Sequence, residues 1–252
     1  MTVVMSVLLS SGLRPLIVAH RGASAVAPEN TLAAFRAAIE LGADVIELDV
    51  QRSADGHLIV IHDPTVDRTT DGRGAVAAHA IGALKALDAG RWFSPRFAGE
   101  RLPTLRQAVE ELGKAAGLFI EIKQGPVFDD GIEAAVAAVI RDADLAARCE
   151  VSSFDHFSVR RIKAHLPEVP CGILYEARLI DPFGAARLAG AEALHPNWTL
   201  ITPDFVEEAH QRGHAVVAWT VNEEDAMTRL AASGVDAIVT DLPDVLRRVL
   251  GR

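Results

Sequence analysis

Glu47 and Asp49 stand two residues apart in the run Asp44-Val45-Ile46-Glu47-Leu48-Asp49-Val50. Glu121 and Lys123 stand two apart in Leu118-Phe119-Ile120-Glu121-Ile122-Lys123. Side chains alternate across a β-strand, so each pair shares one face while the apolar residues between them point to the other. If the apolar face meets helices, the carboxylates point inward, where they repel one another and lose solvation. They then need a cation or a shared proton. Three carboxylates from neighbouring strands suit a hard divalent ion, Mg2+ or Ca2+, rather than Zn2+, which would normally recruit His or Cys. Lys123 is one of only four lysines in the chain. Set beside such an ion, it would favour the negative charge of a phosphoryl group over a neutral carbonyl. The same residues could instead form a structural ion-pair network, a role more usually filled with Arg partners.

Two histidines end apolar runs that would converge on this cluster. His20 closes Leu16–His20 and is followed by Arg21-Gly22; His62 closes Leu58-Ile59-Val60-Ile61 and is followed by Asp63-Pro64. Two imidazoles, one neutral and one protonated, can serve as base and acid on opposite sides of a transferring phosphorus. Arg21 offers a planar fork that matches phosphate oxygens. His195 and Trp219, near the ends of later strands, are further candidates for the pocket wall, as is Phe154. The remaining histidines read as surface or capping residues.

The elements that would carry these residues alternate regularly. Eight β-rich runs, Leu16–His20, Asp44–Val50, Leu118–Lys123, Glu150–Ser153, Cys171–Tyr175, Ala193–Pro196, Ala215–Thr220 and Asp236–Thr240, are separated by helical patterns. Those patterns cover Thr31–Leu41, Thr104–Ala115, Ile132–Ala143, Phe157–His165, Pro203–Arg212, Glu223–Ala232 and Pro243–Leu250. Asn30 or Thr31, Asn222 and Asp241 are placed to cap helices, and Gly42, Gly117, Gly213 and Gly234 to end them. Eight βα units predict an α/β fold, a closed parallel (β/α)8 TIM barrel. An open doubly wound sheet would carry a Gly-rich dinucleotide turn, and the chain has no G-x-G-x-x-G. One interval, between the second and third strands, is longer than the others by about 45 residues, and such βα loops emerge at the barrel's working end. The excess, about residues 52–102, predicts a small cap after strand 2, opening with an Asp55-Gly56 hairpin turn and containing Trp92-Phe93. The expected organisation is thus one barrel domain over 1–252 with this insertion.

Composition agrees. Half of the 252 residues are hydrophobic and the net charge is −9, which excludes a disordered chain. Two cysteines exclude a disulfide scaffold. An acidic chain repels nucleic acid and anionic lipid, so neither nucleic acid nor a stably bound membrane is an expected partner. No apolar run reaches the roughly 18 residues of a membrane helix. The hydrophobic start MTVVMSVLLSSG lacks a basic leader and a cleavage site, and is read as a disordered or early-strand lead-in. Cytoplasmic placement follows by default, and oligomeric state stays open.

The ordered set His20-Arg21-Gly22, Pro28-Glu29-Asn30-Thr31, Glu47-Leu48-Asp49-Val50, His62-Asp63-Pro64, Thr69-Thr70-Asp71-Gly72, Glu121-Ile122-Lys123, Trp219-Thr220-Val221-Asn222 and Gly234-Val235-Asp236 to Thr240-Asp241 resembles the glycerophosphodiester phosphodiesterases. The resemblance runs from about residue 16 to the end. It implies a TIM barrel, dependence on one divalent cation, and hydrolysis of small-molecule glycerophosphodiesters to sn-glycerol 3-phosphate and an alcohol. By the same resemblance Glu47, Asp49 and Glu121 are metal ligands and His20 and His62 the catalytic pair. Arg21 and Lys123 correspond to the family's phosphate-contacting residues, and Glu29 and Asn30 orient the first-strand residues; Trp219, by its strand-end position, is the remaining substrate-binding candidate. Two other outcomes fit the same motifs. A lysophospholipase D would take acylated substrates, with Trp92, Phe93 and Phe97 as a candidate acyl cleft. A non-catalytic barrel would bind phosphodiesters without cutting them.

Overall fold

A computed structural model describes residues 14–126 and 128–252. The hydrophobic lead-in and any targeting role for it lie outside the described residues. Eight strands run parallel: β1 (Leu16–Ala19), β2 (Val45–Arg52), β4 (Gly117–Ile122), β5 (Cys149–Ser153), β6 (Cys171–Tyr175), β7 (Ala193–Pro196), β8 (Ala215–Ala218) and β9 (Ala237–Thr240). Pairing of β1 with both β9 and β2 closes the sheet into a barrel. The ninth strand, β3 (Leu58–Val60), pairs antiparallel with the upper end of β2, Val50 facing Val60. The Asp55-Gly56 turn therefore forms the expected hairpin, with Gly56 at φ +87°.

Two apolar layers follow from strand alternation. Ile46, Leu48, Ile120 and Ile173 face outward, into a continuous core shared with the helices. Val18, Val45, Phe119, Val217 and Val239 face inward and fill the barrel. The surrounding helices are α1 (Leu32–Glu40), α3 (Leu105–Leu112), α4 (Ile132–Asp142), α5 (His156–His165), α6 (Pro182–Ala189), α7 (Pro203–Gln211), α8 (Glu224–Ala232) and α9 (Pro243–Val249). Thr31 caps α1, and Thr104 with Gln107 forms a reciprocal capping box on α3. The sequence does not single out α6: it is eight residues long and contains Gly184, and its start is fixed by Asp181 accepting from the Gly184 N–H.

Four end assignments are corrected. Asn30 is not the cap of α1; it sits at φ +58° and turns its amide toward Asp49 instead. Asn222 and Asp241 do not cap α8 and α9, because they hydrogen-bond one another at 2.6 Å. Gly117 opens β4 without a left-handed backbone, whereas Gly42, Gly213 and Gly234 have it.

The insertion builds a small core of its own, with Ile59, Ile61, Val66, Val76, Leu84 and Leu102 buried around the short helix α2 (Ile81–Ala86). Phe93 packs edge-on against both Trp92 and Phe97, with centroids 5.7 Å apart in each case.

Candidate active site

The C-terminal ends of the strands surround a pocket of about 250 Å³. His20, Arg21, Glu47, His62, Glu121, Lys123, His195 and Trp219 line it, with Phe119, Phe154 and Val239 among the apolar walls. Asp49 is fully buried beside them, behind the lining. Every candidate site residue from the sequence thus converges on one place. Trp92, Phe93 and Phe97 do not line the pocket; from the insertion, His62 alone reaches it.

Strand register brings the carboxylates together. Asp49 pairs with Glu121 across β2 and β4, and Glu47 lies one inward position deeper on β2. One oxygen from each of Glu47, Asp49 and Glu121 lies within 4.8 Å of the others. Glu47 Oε1 and Asp49 Oδ1 are buried without a hydrogen-bond partner among the described residues. Lys123 Nζ stands 3.0 Å from that Asp49 oxygen, off the hydrogen-bond axis, and also contacts Glu121. Burial, followed by the charge of Asp49, pushes Glu47 well above the usual carboxylate range. Glu121 is raised by burial as well. Asp49 goes the other way: burial opposes its charge, but Lys123 and Arg21 outweigh burial and hold it ionised. Orphaned carboxylate oxygens and carboxyls strained toward neutrality are what a divalent cation relieves, so the donor set fits one hard ion.

The first-strand turn is held by close packing. Arg21 adopts φ +56°, and a side chain at Gly22 would strike Ala34 of α1 at 2.7 Å. In this turn the Arg21 N–H donates to Glu47 Oε2 at 2.9 Å, and its guanidinium bonds Glu29 and approaches Asp49 at 3.2 Å. Asn30 donates to Asp49 Oδ2, the same oxygen that Arg21 approaches, at 2.7 Å. Glu29 thus holds the first-strand residue Arg21, as expected, whereas the Asn30 side chain holds Asp49 on β2.

Each histidine is braced by a carboxylate. His20 Nδ1 lies 2.7 Å from Asp241 Oδ1, and His62 Nδ1 lies 2.7 Å from Asp63 Oδ1. That leaves Nε2 of each ring for a ligand. Burial lowers His20, but the Asp241 hydrogen bond and the nearby Glu47 outweigh it, so the ring is raised above its ordinary value. Burial also lowers His62, aided by Lys123 and Arg21 against the pull of Asp49, and here the lowering prevails. Two titratable groups pushed in opposite directions are suited to opposite proton-transfer roles. Arg68 was not singled out in the sequence. It forks onto Asp63 and Glu29 at 2.7–2.9 Å and ties the His62 brace to the Arg21 brace. Asp63 is only five residues away in the chain, but Glu29 is 39 residues away, and that second contact is what hid it.

Trp219 donates from Nε1 to the His195 carbonyl at 2.7 Å and meets the Phe154 ring edge-on at 5.3 Å. These contacts fix one wall of the pocket.

A barrel end that gathers buried acids, a lysine and two braced imidazoles around a small cavity defines an enzyme of the barrel phosphodiesterase class. The chain belongs to the glycerophosphoryl diester phosphodiesterase family, whose pattern it matches over residues 20–245. It is 45% identical over 235 residues to a glycerophosphodiester phosphodiesterase of Caldanaerobacter subterraneus subsp. tengcongensis, covering 93% of this chain and 97% of that one. A Bacillus subtilis glycerophosphodiester phosphodiesterase is 33% identical, over 94% of this chain and 86% of its own. Among solved structures, an Oleispira antarctica phosphodiesterase in complex with the product sn-glycerol-3-phosphate superposes with a TM-score of 0.88 at 31% identity, over 97% and 99% of the two chains. The chain is accordingly a glycerophosphodiester phosphodiesterase by family, a phosphoric diester hydrolase. Among the described residues, no helix is long and apolar enough to cross a membrane.

Proposed function

We propose that the protein hydrolyses small glycerophosphodiesters to sn-glycerol 3-phosphate and an alcohol in a metal-dependent reaction, with His20 and His62 as its acid–base pair. The observation that carries this is the pair of imidazoles, each braced through Nδ1 by a carboxylate and each lining the pocket that holds the acidic cluster. Glu47, Asp49 and Glu121 would hold one divalent cation, Mg2+ or Ca2+. When bound, that cation would supply positive charge for the phosphate oxygens. Lys123 and Arg21 add fixed positive charge on the same side.

In the first step the glycerol 2-hydroxyl attacks phosphorus. One imidazole takes the hydroxyl proton as the O2–P bond forms. The other protonates the departing alcohol as its P–O bond breaks. The product of this step is a five-membered cyclic phosphate. In the second step water adds to phosphorus with the imidazole roles reversed, the O2–P bond breaks, and glycerol 3-phosphate is released. Trp219 closes the wall against which the glycerol lies. The insertion aromatics pack on one another away from the pocket, which favours a small headgroup diester over an acylated substrate.

The test is turnover of glycerophosphocholine by His20→Ala and His62→Ala. Each is expected to lose at least about 100-fold in kcat, the usual worth of a general acid or base. Near-wild-type kcat in either variant overturns that residue's assignment.

A further inference from the structure

Beneath the acidic cluster the barrel interior is apolar except at one place. Glu150 on β5 is fully buried, and His195 on β7 is 3% exposed. These strands are not neighbours, since β6 runs between them. The two side chains meet because β6 presents Gly172 at the crossing. A methyl group there would come within 2.4 Å of His195 Nε2 and 2.8 Å of Glu150 Oε1. The contact is close, 2.6 Å from Nε2 to Oε1, but off the axis of a hydrogen bond, and both Glu150 oxygens lack any other donor among the described residues. The Phe119 ring packs against the His195 ring with centroids 6.0 Å apart.

Stability does not explain this arrangement. A buried polar pair without an aligned hydrogen bond costs desolvation, and well-packed apolar residues of similar volume usually serve a core as well or better. Polar atoms left without aligned partners inside a core call for a functional explanation. Position supplies one. Phe119 and Glu150 pair across β4 and β5, one inward position below the pair Glu121 and Ser152. His195 thus lines the pocket from the floor, among Phe119, Leu174 and Val239, below the groups that hold the phosphate in the proposed reaction. With Nε2 turned to Glu150 at 2.6 Å, Nδ1 is the ring nitrogen left to meet a ligand.

We propose that His195, braced by Glu150 across the gap at Gly172, is a specificity-determining residue that hydrogen-bonds the free terminal hydroxyl of the substrate's glycerol moiety. This rests on the glycerophosphodiester reading above. The departing alcohol points to solvent, so the glycerol is the part that enters, and a cavity of about 250 Å³ accommodates a three-carbon polyol phosphate but not an acyl chain as well. One polar atom on an apolar floor can select the one hydroxyl not engaged at phosphorus. An analogue lacking that hydroxyl would leave the polar atom buried and unmatched, and this is how a site rejects the smaller ligand.

The experiment compares kcat/KM for glycerophosphocholine with that for the same diester of propane-1,2-diol, which keeps the attacking 2-hydroxyl and lacks the terminal one. Wild type is expected to prefer the parent by roughly 10- to 100-fold. The double variant Glu150→Met/His195→Leu removes both polar partners together, the change a buried pair tolerates best. Its preference is expected to collapse to about one, while its rate on the propanediol analogue stays within a fewfold of wild type. A wild-type preference near one, or a preference that survives in the double variant, overturns the proposal. Failure of wild type to cut either diester would instead overturn the proposed function. Independently of turnover, the His195 ring nitrogens of the wild-type protein are expected to shift in the 15N spectrum on addition of sn-glycerol 3-phosphate and not of inorganic phosphate. Equal shifts with both, or with neither, also overturn it.

Discussion

Asp241 is the brace whose removal most cleanly separates orientation from chemistry. Its Oδ1 accepts from Ser24 and lies 2.7 Å from His20 Nδ1, while Oδ2 accepts from Asn222 at 2.6 Å. Burial works against its charge, but the bonds from His20, Ser24 and Asn222 hold its pKa down at about 2, so it is ionised at any working pH. Asp241→Asn keeps the shape and one acceptor oxygen while deleting the charge. A hydrogen bond to a charged partner contributes about 1.5–3 kcal/mol net, equivalent to roughly 10- to 150-fold in rate if His20 is protonated or oriented in the transition state. The amide can also present its NH2 to Nδ1, which would fix the wrong tautomer and leave the proton on the reacting Nε2. The assay is initial-rate release of glycerol 3-phosphate from glycerophosphocholine at saturating metal across pH 5–9, with a thermal melt as the folding control. The expected result is a fall in kcat within that range, little change in KM, and a His20 limb moved to lower pH, because removing an adjacent carboxylate destabilises the imidazolium. A folded variant with kcat within twofold of wild type and an unmoved limb would refute the orienting role of Asp241 and weaken the case for His20.

Further outcomes follow from the same geometry. Gly172→Ala forces its methyl against His195 and Glu150, and is expected to cost about 1–3 kcal/mol in chemical denaturation; a neutral effect would mean that the pair yields easily. Glu47 is raised above its unfolded value, so in EDTA its contribution to stability is full below about pH 4.3 and is lost as pH rises toward its folded value. At one fixed concentration of divalent cation, about a hundredfold above its Kd at pH 8, Tm should therefore rise by roughly 5–10 °C at pH 8 and by less at pH 5, where protons compete for Glu47; an equal shift at both pH values would contradict the placement of the ion at Glu47. Asp63 and Asp241 shift the other way, each down to about 2. Their contribution is present above about pH 4 and is lost as pH falls toward 2, so Asp63→Asn/Asp241→Asn should melt with a flatter dependence on acid pH than wild type.

Local patterns made most of the site legible. Two-residue spacing on a strand specifies a shared face regardless of tertiary context, which is why Glu47 with Asp49 and Glu121 with Lys123 could be placed inside the barrel from their sequence alone. The long second interval likewise marked the insertion, since a βα loop has nowhere to go except the barrel mouth. What escaped depends on contacts between distant segments. Arg68 reads as an ordinary loop arginine until Glu29, 39 residues away in the chain, is brought to it. Glu150 reads as one polar residue at the start of a strand, and only the register through β6 reveals that Gly172 opens a path to His195. The caps at Asn222 and Asp241 were misjudged for a related reason. Cap residue types stood at helix starts, but a stronger use of both side chains lay in bracing His20.

The most direct measurement of the central claim is glycerol 3-phosphate release from glycerophosphocholine by EDTA-treated protein, with Mg2+ or Ca2+ then restored, for wild type and for Asp49→Asn. Wild type is expected to be inactive in EDTA and to recover with one of these ions, and Asp49→Asn is expected to remain folded but not to recover. Full turnover by wild type in EDTA, or full recovery by the variant, would contradict the claim.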